Sequence, residues 1–481
     1  MTGGDRNRWA VLAVVSAAQF LTILDLWVVN IALPVLAHDF APATLPDVSW
    51  IISVYAIVLA AMLLPAGRVT DSLGHSRCFM AGLAVFGSAS LGCALAPTLP
   101  VLIACRGLQA AGAAVLMPTS LSLALSAFPA RQRSTAVGVW AAVGGVAAGS
   151  GPILGGLLAE WSWRWIFVIN VPLVLAALLA GAAILPGGAD RGRPRRADAA
   201  GALLVLAAVG LTCLALTEAT TWPPGRTWTL LSAGLALGAV FAARIRRHPD
   251  PVLSPKLFSV RDFSAGAAGL VAYYVGFAAM LLGTTLFLTQ AWRYSVLQAA
   301  AAIAPGPITA AFGAPFSGAV STRLGTRNTV LAGASLFAAA GAWLLAAAQS
   351  AGYARVVLPS MLLWGVANAL IQPTLFAAAN SAPRAELASA SAVLSTARQV
   401  GSALGVAILV AVLGSHPART PAGFAPAWLI GLGSAALTAL TALTPLAPGN
   451  RSASKRPAGV THPQAEPANA TADQQQPVGQ P

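Results

Sequence analysis

Apolar stretches of about twenty residues, each long enough to cross a bilayer as a helix, follow one another along almost the whole chain. A bilayer offers no water to the backbone, so a spanning segment must satisfy its own hydrogen bonds, which a helix does internally. Charged residues make up only 9% of the 481 residues, too few to cover the surface of a soluble protein. We therefore predict an all-α integral membrane protein.

The apolar periodicity predicts fourteen spans whose connections are mostly short, so that successive helices run antiparallel. The predicted spans cover residues 11–33, 49–67, 78–96, 99–124, 135–158, 165–185, 199–217, 228–244, 264–289, 298–319, 329–348, 356–378, 389–413 and 424–446. Beyond them, residues 449–481 are rich in Pro, Ala, Gln, Asn and Ser without periodicity, and we predict a disordered tail.

The distribution of positive charge predicts the orientation in the membrane. Of the 28 Lys and Arg residues, 21 lie on the side of the N-terminus, 5 lie on the opposite side, and Arg106 and Arg398 lie within spans. Cytoplasmic loops of membrane proteins carry the excess of Lys and Arg. We predict a multi-pass protein of the cell inner (plasma) membrane with both termini cytoplasmic. The basic residues form short clusters between apolar runs, which argues against nucleic-acid binding.

The chain repeats itself weakly but in a constant order. GRVTDSLG at 67–74 matches GAVSTRLG at 318–325, and Pro-Thr pairs recur in spans 4 and 12. We predict a six-helix half over 1–185, two inserted helices with cytoplasmic linkers over 186–262, and a second six-helix half over 263–448. Parallel repeats with a substrate path at their interface are a design of transporters, and a self-contained pair of halves predicts a monomer.

Several motifs in one order resemble the major facilitator superfamily, and more narrowly its fourteen-helix drug:proton antiporters of the EmrB/QacA type. They are LDLWVVNIALP at 24–34, GRVTDSLGHSR at 67–77, RGLQAAG at 106–112, GSGPILGG at 149–156, WRWIFVINVP at 163–172 and HPDPVLSPKLF at 248–258. The sequence departs from the family pattern at Trp27, where a small polar residue is usual, and at Ser72, Leu73 and His75, where basic residues are common.

The resemblance implies export coupled to proton influx by alternating access of the two halves, with the proton gradient as the energy source and no cofactor. It also implies a set of residues that control the conformational change. These are Gly67, Asp71, Gly74, Arg77, Gly149, Gly151, Pro152, Gly155 and Gly156. GSGPILGG is associated with antiporters rather than symporters, which argues against nutrient import.

Asp25 and Arg106 are candidates for proton coupling. A carboxylate or a guanidinium inside an apolar span is costly unless it is paired, and such residues commonly have a function. Asp25 can exchange a proton, and in the resembled family the arginine of this motif is linked to proton coupling. The residues also allow a structural interpretation, in which Asp25 is a hydrated helix end and Arg106 reaches the surface or bonds helix carbonyls.

Polar and aromatic residues within spans are candidates for a substrate pathway because they can stack on, or hydrogen-bond to, amphipathic and cationic compounds. We select Trp27, Gln109, Trp140, Arg398 and Gln399. Arg398 suits either an anionic group of a substrate or a helix carbonyl, and each of the others alone also suits packing or contact with lipid.

The glycine-rich motifs predict local geometry. Gly67, Asp71 and Gly74 predict a turn between spans 2 and 3, with Asp71 capping the N-terminus of span 3. The glycines of span 5 predict close approach of another helix.

Together these features predict a proton-coupled exporter of small amphipathic or cationic compounds, such as drugs or antibiotics, or alternatively a dedicated exporter of one endogenous metabolite such as an antibiotic or siderophore. The predicted partners are the small-molecule substrate, protons and the lipid bilayer. An enzyme is disfavoured because all five histidines lie outside the spans, and no Walker motif is present for ATP binding. The four cysteines have no metal-ligand spacing, so no metal site is predicted.

Overall fold

The computed structural model describes residues 3–129, 132–185, 198–248, 255–350, 352–381, 387–414 and 420–443. Within these residues the chain is helical and contains no strand. Fourteen helices are long and apolar enough to span a membrane. We number them α1 to α14, in the order of the predicted spans. The prediction of an all-α protein with fourteen spans is confirmed. The predicted loop at 186–197 and the tail at 449–481 lie outside the described residues.

Each spanning helix is continuous or nearly so. Helices α1 to α5 are Gly3–Asp39, Leu45–Leu73, His75–Ala94, Leu99–Ala127 and Arg133–Trp161, and α6 consists of Trp165–Val168 and Asn170–Ile184. Helices α7 and α8 are Ala199–Thr217 and Pro224–Arg247, α9 is Arg261–Leu286 followed by a π-helical turn at Phe287–Ala291, and α10 consists of Val296–Ile303, Pro305–Gly313 and Ser317–Leu324. Helices α11 to α14 are Thr326–Ala347, Tyr353–Phe376, Leu387–Leu413 and Ala425–Leu443. Most helices extend a few residues past the apolar runs, because hydropathy marks the part in lipid rather than the hydrogen-bonded ends.

The helices pack in equivalent pairs in the two halves of the sequence. α1 packs against α5 and α3 against α4, and in the same way α9 packs against α13 and α11 against α12. The helices α7 and α8 pack against each other, and α7 also contacts α2 and α13. The most extensive contacts between the two sets of six helices are those of α2 with α13 and of α5 with α10, and α1 also contacts α9 and α10.

The turn between α2 and α3 differs from the prediction. Because residues 68–73 contain neither Gly nor Pro, α2 continues past Gly67 through Leu73. Asp71 therefore lies in the last turn of α2, and the N-cap of α3 is Gly74, without a side-chain cap. Gly74 has φ 95° and ψ 133°, and Gly325 between α10 and α11 has φ 82° and ψ 152°. Positive φ favours glycine, so the repeated motif gives the same turn in both halves. The Asp71 side chain lies outside the described residues.

Helices α7 and α8 are joined by an ion pair between the start of α7 and the end of α8. Asp198 caps α7, accepting a hydrogen bond from the backbone N–H of Gly201 at 2.9 Å, and its Oδ1 accepts another from Nη2 of Arg244 in α8 at 2.9 Å. Burial raises the pKa of Asp198, but these hydrogen bonds and the charge of Arg244 outweigh it, and the net effect is a pKa below the usual value.

Candidate functional site

A cavity of about 460 Å³ lies between the two six-helix halves at mid-depth in the bundle. This volume is in the range of small-molecule sites, roughly 300–1,000 Å³. Its wall combines polar side chains with aromatic rings. The polar residues are Gln19, Thr22, Asn30, Asn368, Gln372, Ser395, Arg398, Gln399 and Ser402, and the aromatic residues are Trp27, Tyr55, Trp140, Tyr274, Phe277 and Phe376. The cavity can therefore hold an amphipathic molecule of drug size.

The bundle is tightly packed between the halves on one side of this cavity. We call the side at which α1 begins the near side and the side at which α1 ends the far side. Toward the far side, Glu160 at the end of α5 accepts a hydrogen bond of 3.0 Å from the hydroxyl of Ser295 before α10. A Cβ atom on Gly156 would lie 2.7 Å from Cβ of Ala300 and 2.8 Å from Cα of Leu297. Only glycine allows this approach, which closes the halves against each other.

The GSGPILGG motif at 149–156, which contains Gly156, also brings α5 close to α1. A Cβ atom on Gly155 would lie 2.9 Å from Cα of Val28, and one on Gly151 would lie 2.5 Å from Cβ of Trp27. Trp27 in turn contacts the opposite half, with ring centroids 6.0 Å from Phe277 and 6.3 Å from Trp364. The glycines of α5 thus hold Trp27 at the boundary between the halves. The motif residue Pro152 lies within α5, and Gly149 faces Ile308 of α10.

Asp25 and Arg106 form a direct ion pair in the core of the first half. Nη1 of Arg106 donates to Oδ2 of Asp25 at 2.5 Å, and both side chains are almost completely buried. Gln109, one turn from Arg106, accepts from the same Nη1 at 2.6 Å and donates to Oδ1 of Asp25 at 2.9 Å. Nε of Arg106 donates to the backbone carbonyl of Ile51 in α2. The pair is thus surrounded by hydrogen bonds, the condition under which buried charges are tolerated.

Two residues that sequence reasoning missed complete this network. The side-chain amide of Asn170 in α6 donates to Oγ of Ser90 in α3 at 2.9 Å and reaches Oδ1 of Asp25 at 3.4 Å. Ser90 in turn donates to the backbone carbonyl of Phe167. Asn170 lies in the motif WRWIFVINVP and is a polar residue within an apolar span, which was the available signal. The helix that the Asn170 side chain faces is set by helix packing, which the periodicity of the sequence does not reveal.

Tyr55 of α2 stands between the ion pair and the cavity. The guanidinium carbon of Arg106 lies 4.3 Å from the centroid of the Tyr55 ring, within cation–π range. Tyr55 also lines the cavity, and its hydroxyl has no hydrogen-bond partner among the described protein atoms. Asp25 itself does not line the cavity and is 1% exposed. One aromatic ring therefore contacts the arginine of the buried pair and also lines the cavity.

Of the residues predicted for a substrate pathway, Trp27, Trp140, Arg398 and Gln399 line the cavity. Gln109 does not line it, because its side chain is hydrogen-bonded within the Asp25 network. Of the predicted conformational residues, Gly149, Gly151, Gly155 and Gly156 lie at helix contacts of α5. In contrast, Arg77 is exposed near the start of α3, and a Cβ atom on Gly67 would meet nothing within 4 Å.

Arg398 brings a positive charge to the cavity wall. Its guanidinium carbon lies 5.9 Å from the ring centroid of Tyr274 and 5.8 Å from that of Phe376. Its Nε has no hydrogen-bond partner, and no carboxylate pairs with it among the residues that the structure describes. Among the described residues, no group of three or more His, Cys, Asp or Glu residues is arranged to hold a metal ion.

Comparisons with known proteins agree with this architecture. The family model of the Major Facilitator Superfamily matches residues 15–406. The puromycin resistance protein pur8 of Streptomyces alboniger is 36% identical over 85% of this chain and 82% of its own length. The tetracenomycin C resistance and export protein of Streptomyces glaucescens is 32% identical over 86% of this chain and 77% of its own length.

Solved structures share the fold. The structure of PepTSo2 covers 90% of this chain and 97% of its own with a TM-score of 0.64 at 14% sequence identity. At that identity the likeness concerns the fold alone. Together with the match to the family model, it leads to one conclusion: this chain belongs to the Major Facilitator Superfamily.

Proposed function

We propose that the protein is a proton-coupled exporter of small amphipathic compounds, of the drug or antibiotic efflux kind, which works by alternating access of its two halves. The observation that carries the proposal is the position of the buried Asp25–Arg106 pair, one tyrosine ring away from a drug-sized cavity between the halves. The names of the relatives support export, since they describe antibiotic resistance and export proteins.

The sidedness in this proposal comes from the loop charges. The near side, where α1 begins, carries 21 of the 28 Lys and Arg residues and is therefore the cytoplasm of the inner membrane. Contacts between α5 and α10 close the far side. The cavity reaches Phe376 at the near end of α12. This arrangement corresponds to the inward-facing state, which takes up substrate from the cell.

Asp25 carries the proton in this cycle. As an anion it holds Arg106 and Gln109 by charge-assisted hydrogen bonds. A proton on Asp25 removes the charge that pairs with Arg106, whose guanidinium stays charged. The uncompensated cation beside Tyr55 then favours a different packing of α1, α2 and α4. Proton binding from outside and substrate binding from inside thereby bias the two states in opposite directions.

A narrower function is the dedicated export of one endogenous metabolite. The two relatives named above favour it, because each name refers to a single antibiotic. The two functions share the same cycle and differ in how many compounds the cavity accepts. Competition between unrelated compounds for one transported probe distinguishes them.

The experiment uses proteoliposomes with an imposed pH gradient and permanently charged fluorescent probes of equal size, anthracene-9-sulfonate and (anthracen-9-ylmethyl)trimethylammonium. We expect gradient-dependent movement of at least one probe with the wild type and its loss in Asp25→Asn. The matched control is Glu218→Gln, which neutralises a carboxylate just past the end of α7 and should leave movement unchanged. Full gradient-driven movement in Asp25→Asn would contradict the role of Asp25, and movement of neither probe by the wild type would contradict the exporter.

A further inference from the structure

The charge of the cavity wall is positive. Arg398 is the single ionised side chain among the described residues that line it. The nearest buried carboxylate, Asp25, is 1% exposed and engaged by Arg106, Gln109 and Asn170. A cationic substrate in this cavity would meet a like charge and no available counter-ion.

Unpartnered hydrogen-bond donors point in the same direction. Among the described atoms of the cavity wall, three buried donors lack a protein partner: Nε of Arg398, Nε2 of Gln399 and Nε1 of Trp140. The hydroxyl of Tyr55, which can donate or accept, also lacks one. The corresponding buried acceptor is Oε1 of Gln19. Buried donors without partners are costly, so a ligand rich in acceptors fits this wall best.

Aromatic rings surround the guanidinium of Arg398. Its guanidinium carbon lies within 6 Å of the ring centroids of Tyr274 and Phe376, and Gln399 is 4% exposed beside it. Tyr274 and Phe277 are in contact, with centroids 5.0 Å apart, and Phe277 leads on to Trp27. A row of aromatic rings thus extends from the charged group across the boundary between the halves.

We propose that the cavity selects amphipathic organic anions, such as aromatic carboxylates, sulfonates or phenolates. Arg398 binds the anionic group, and Tyr274, Phe277 and Trp27 hold the apolar body. A guanidinium at membrane depth needs a compensating charge, and its planar array of donors suits a carboxylate or sulfonate. This inference rests on the proposed function for its biological meaning, but it concerns binding, which needs neither a proton gradient nor transport.

The test measures equilibrium binding to purified full-length protein in detergent by quenching of tryptophan fluorescence. The probes are anthracene-9-sulfonate, (anthracen-9-ylmethyl)trimethylammonium and the neutral anthracene-9-methanol. We expect the sulfonate to bind the wild type more tightly than the ammonium compound. In Arg398→Gln we expect the sulfonate affinity to fall about 10- to 100-fold, as for loss of a charge-assisted hydrogen bond. The affinity for the neutral probe should change less than about threefold, which also reports a folded cavity.

Two further variants keep the inference falsifiable. Arg398→Lys retains the charge and should recover most of the sulfonate affinity, whereas Arg355→Gln removes an exposed arginine near the start of α12 and should change nothing. Tighter binding of the ammonium compound by the wild type, or unchanged sulfonate binding in Arg398→Gln, would overturn the inference. Sulfonate binding that depends on Arg398 without gradient-driven movement would support this inference and count against the proposed exporter instead.

Discussion

Two adjacent glycines of α5 offer a test of the conformational change, because they face different partners. A Cβ atom on Gly156 would lie 2.8 Å from Cα of Leu297 and 3.2 Å from the carbonyl oxygen of Val296, both in the opposite half. A Cβ atom on Gly155 would lie 2.9 Å from Cα and 3.1 Å from the carbonyl oxygen of Val28, in the same half. Since these are backbone atoms, a methyl group at either position forces helices apart rather than one side chain.

We expect Gly156→Ala to destabilise the state in which the far side is closed. Overpacking a close contact costs about 1–3 kcal/mol, so the ratio of far-side-closed to far-side-open molecules should fall about 5- to 150-fold. The open state escapes this cost because the halves separate there, so the melting temperature should change little. Gly155→Ala carries its clash within one half in both states. It should therefore lower the melting temperature and leave the ratio unchanged.

The assay is electron–electron double resonance between spin labels on Leu95→Cys and Gln349→Cys, two exposed residues just past the far ends of α3 and α11 in opposite halves. The background replaces the four native cysteines by alanine, and all variants carry the same labels, which leave the Glu160–Ser295 hydrogen bond in place. A longer distance population in Gly156→Ala alone is the expected result. An unchanged distribution in Gly156→Ala, or an equal shift in Gly155→Ala, would refute the reasoning that the α5–α10 contact closes the far side.

Three further predictions concern single side chains. Tyr55→Phe keeps the ring beside Arg106 but removes a buried hydroxyl that has no protein partner, so the melting temperature should not fall while sulfonate affinity drops a few-fold in the binding assay. Trp27→Ser removes the ring contacts across the halves and should lower the free energy of unfolding by at most about 3–5 kcal/mol in thermal unfolding. It should also let the cavity accept bulkier probes in competition assays. Asp198→Asn removes the negative charge that pairs with Arg244, at a cost of about 1 kcal/mol. The pKa of Asp198 is lower in the folded than in the unfolded protein. The melting temperature of the variant should therefore lie below that of the wild type by its full amount above about pH 4, and this difference should vanish as the pH falls below the folded-state pKa of Asp198.

The sequence was sufficient for the membrane architecture because apolar length is a direct requirement of the bilayer. Hydropathy located every spanning helix, and the motif repeated at Gly74 and Gly325 indicated equivalent turns, which positive φ at both residues now explains. The same motif led to a wrong position for Asp71, since a repeated sequence pattern does not show on which residue a helix ends. Here α2 runs through Leu73.

The candidate site was predictable in its residue types but not in its grouping. Asp25 and Arg106 were marked by the cost of charge inside an apolar helix, but their direct contact depends on how α1 and α4 are rotated. That rotation is set by packing with α3, α5 and α6 and leaves no trace in hydropathy. For the same reason Gln109 was assigned to the substrate pathway, although it lies one turn from Arg106 and faces Asp25 instead.

The arrangement of the two charged sites limits how transport and proton binding can be coupled. Asp25 is enclosed by hydrogen bonds and does not reach the cavity, so substrate and proton cannot compete for one carboxylate unless the ion pair first opens. In the proposed cycle, coupling therefore passes through elements that touch both sites. These are α1, which carries Asp25 toward the network and Trp27 toward the cavity, and Tyr55, which contacts Arg106 and lines the cavity. An anionic substrate held at Arg398 would leave the Asp25–Arg106 pair intact, whereas a cation that took Asp25 as its counter-ion would have to displace Arg106 from that pair.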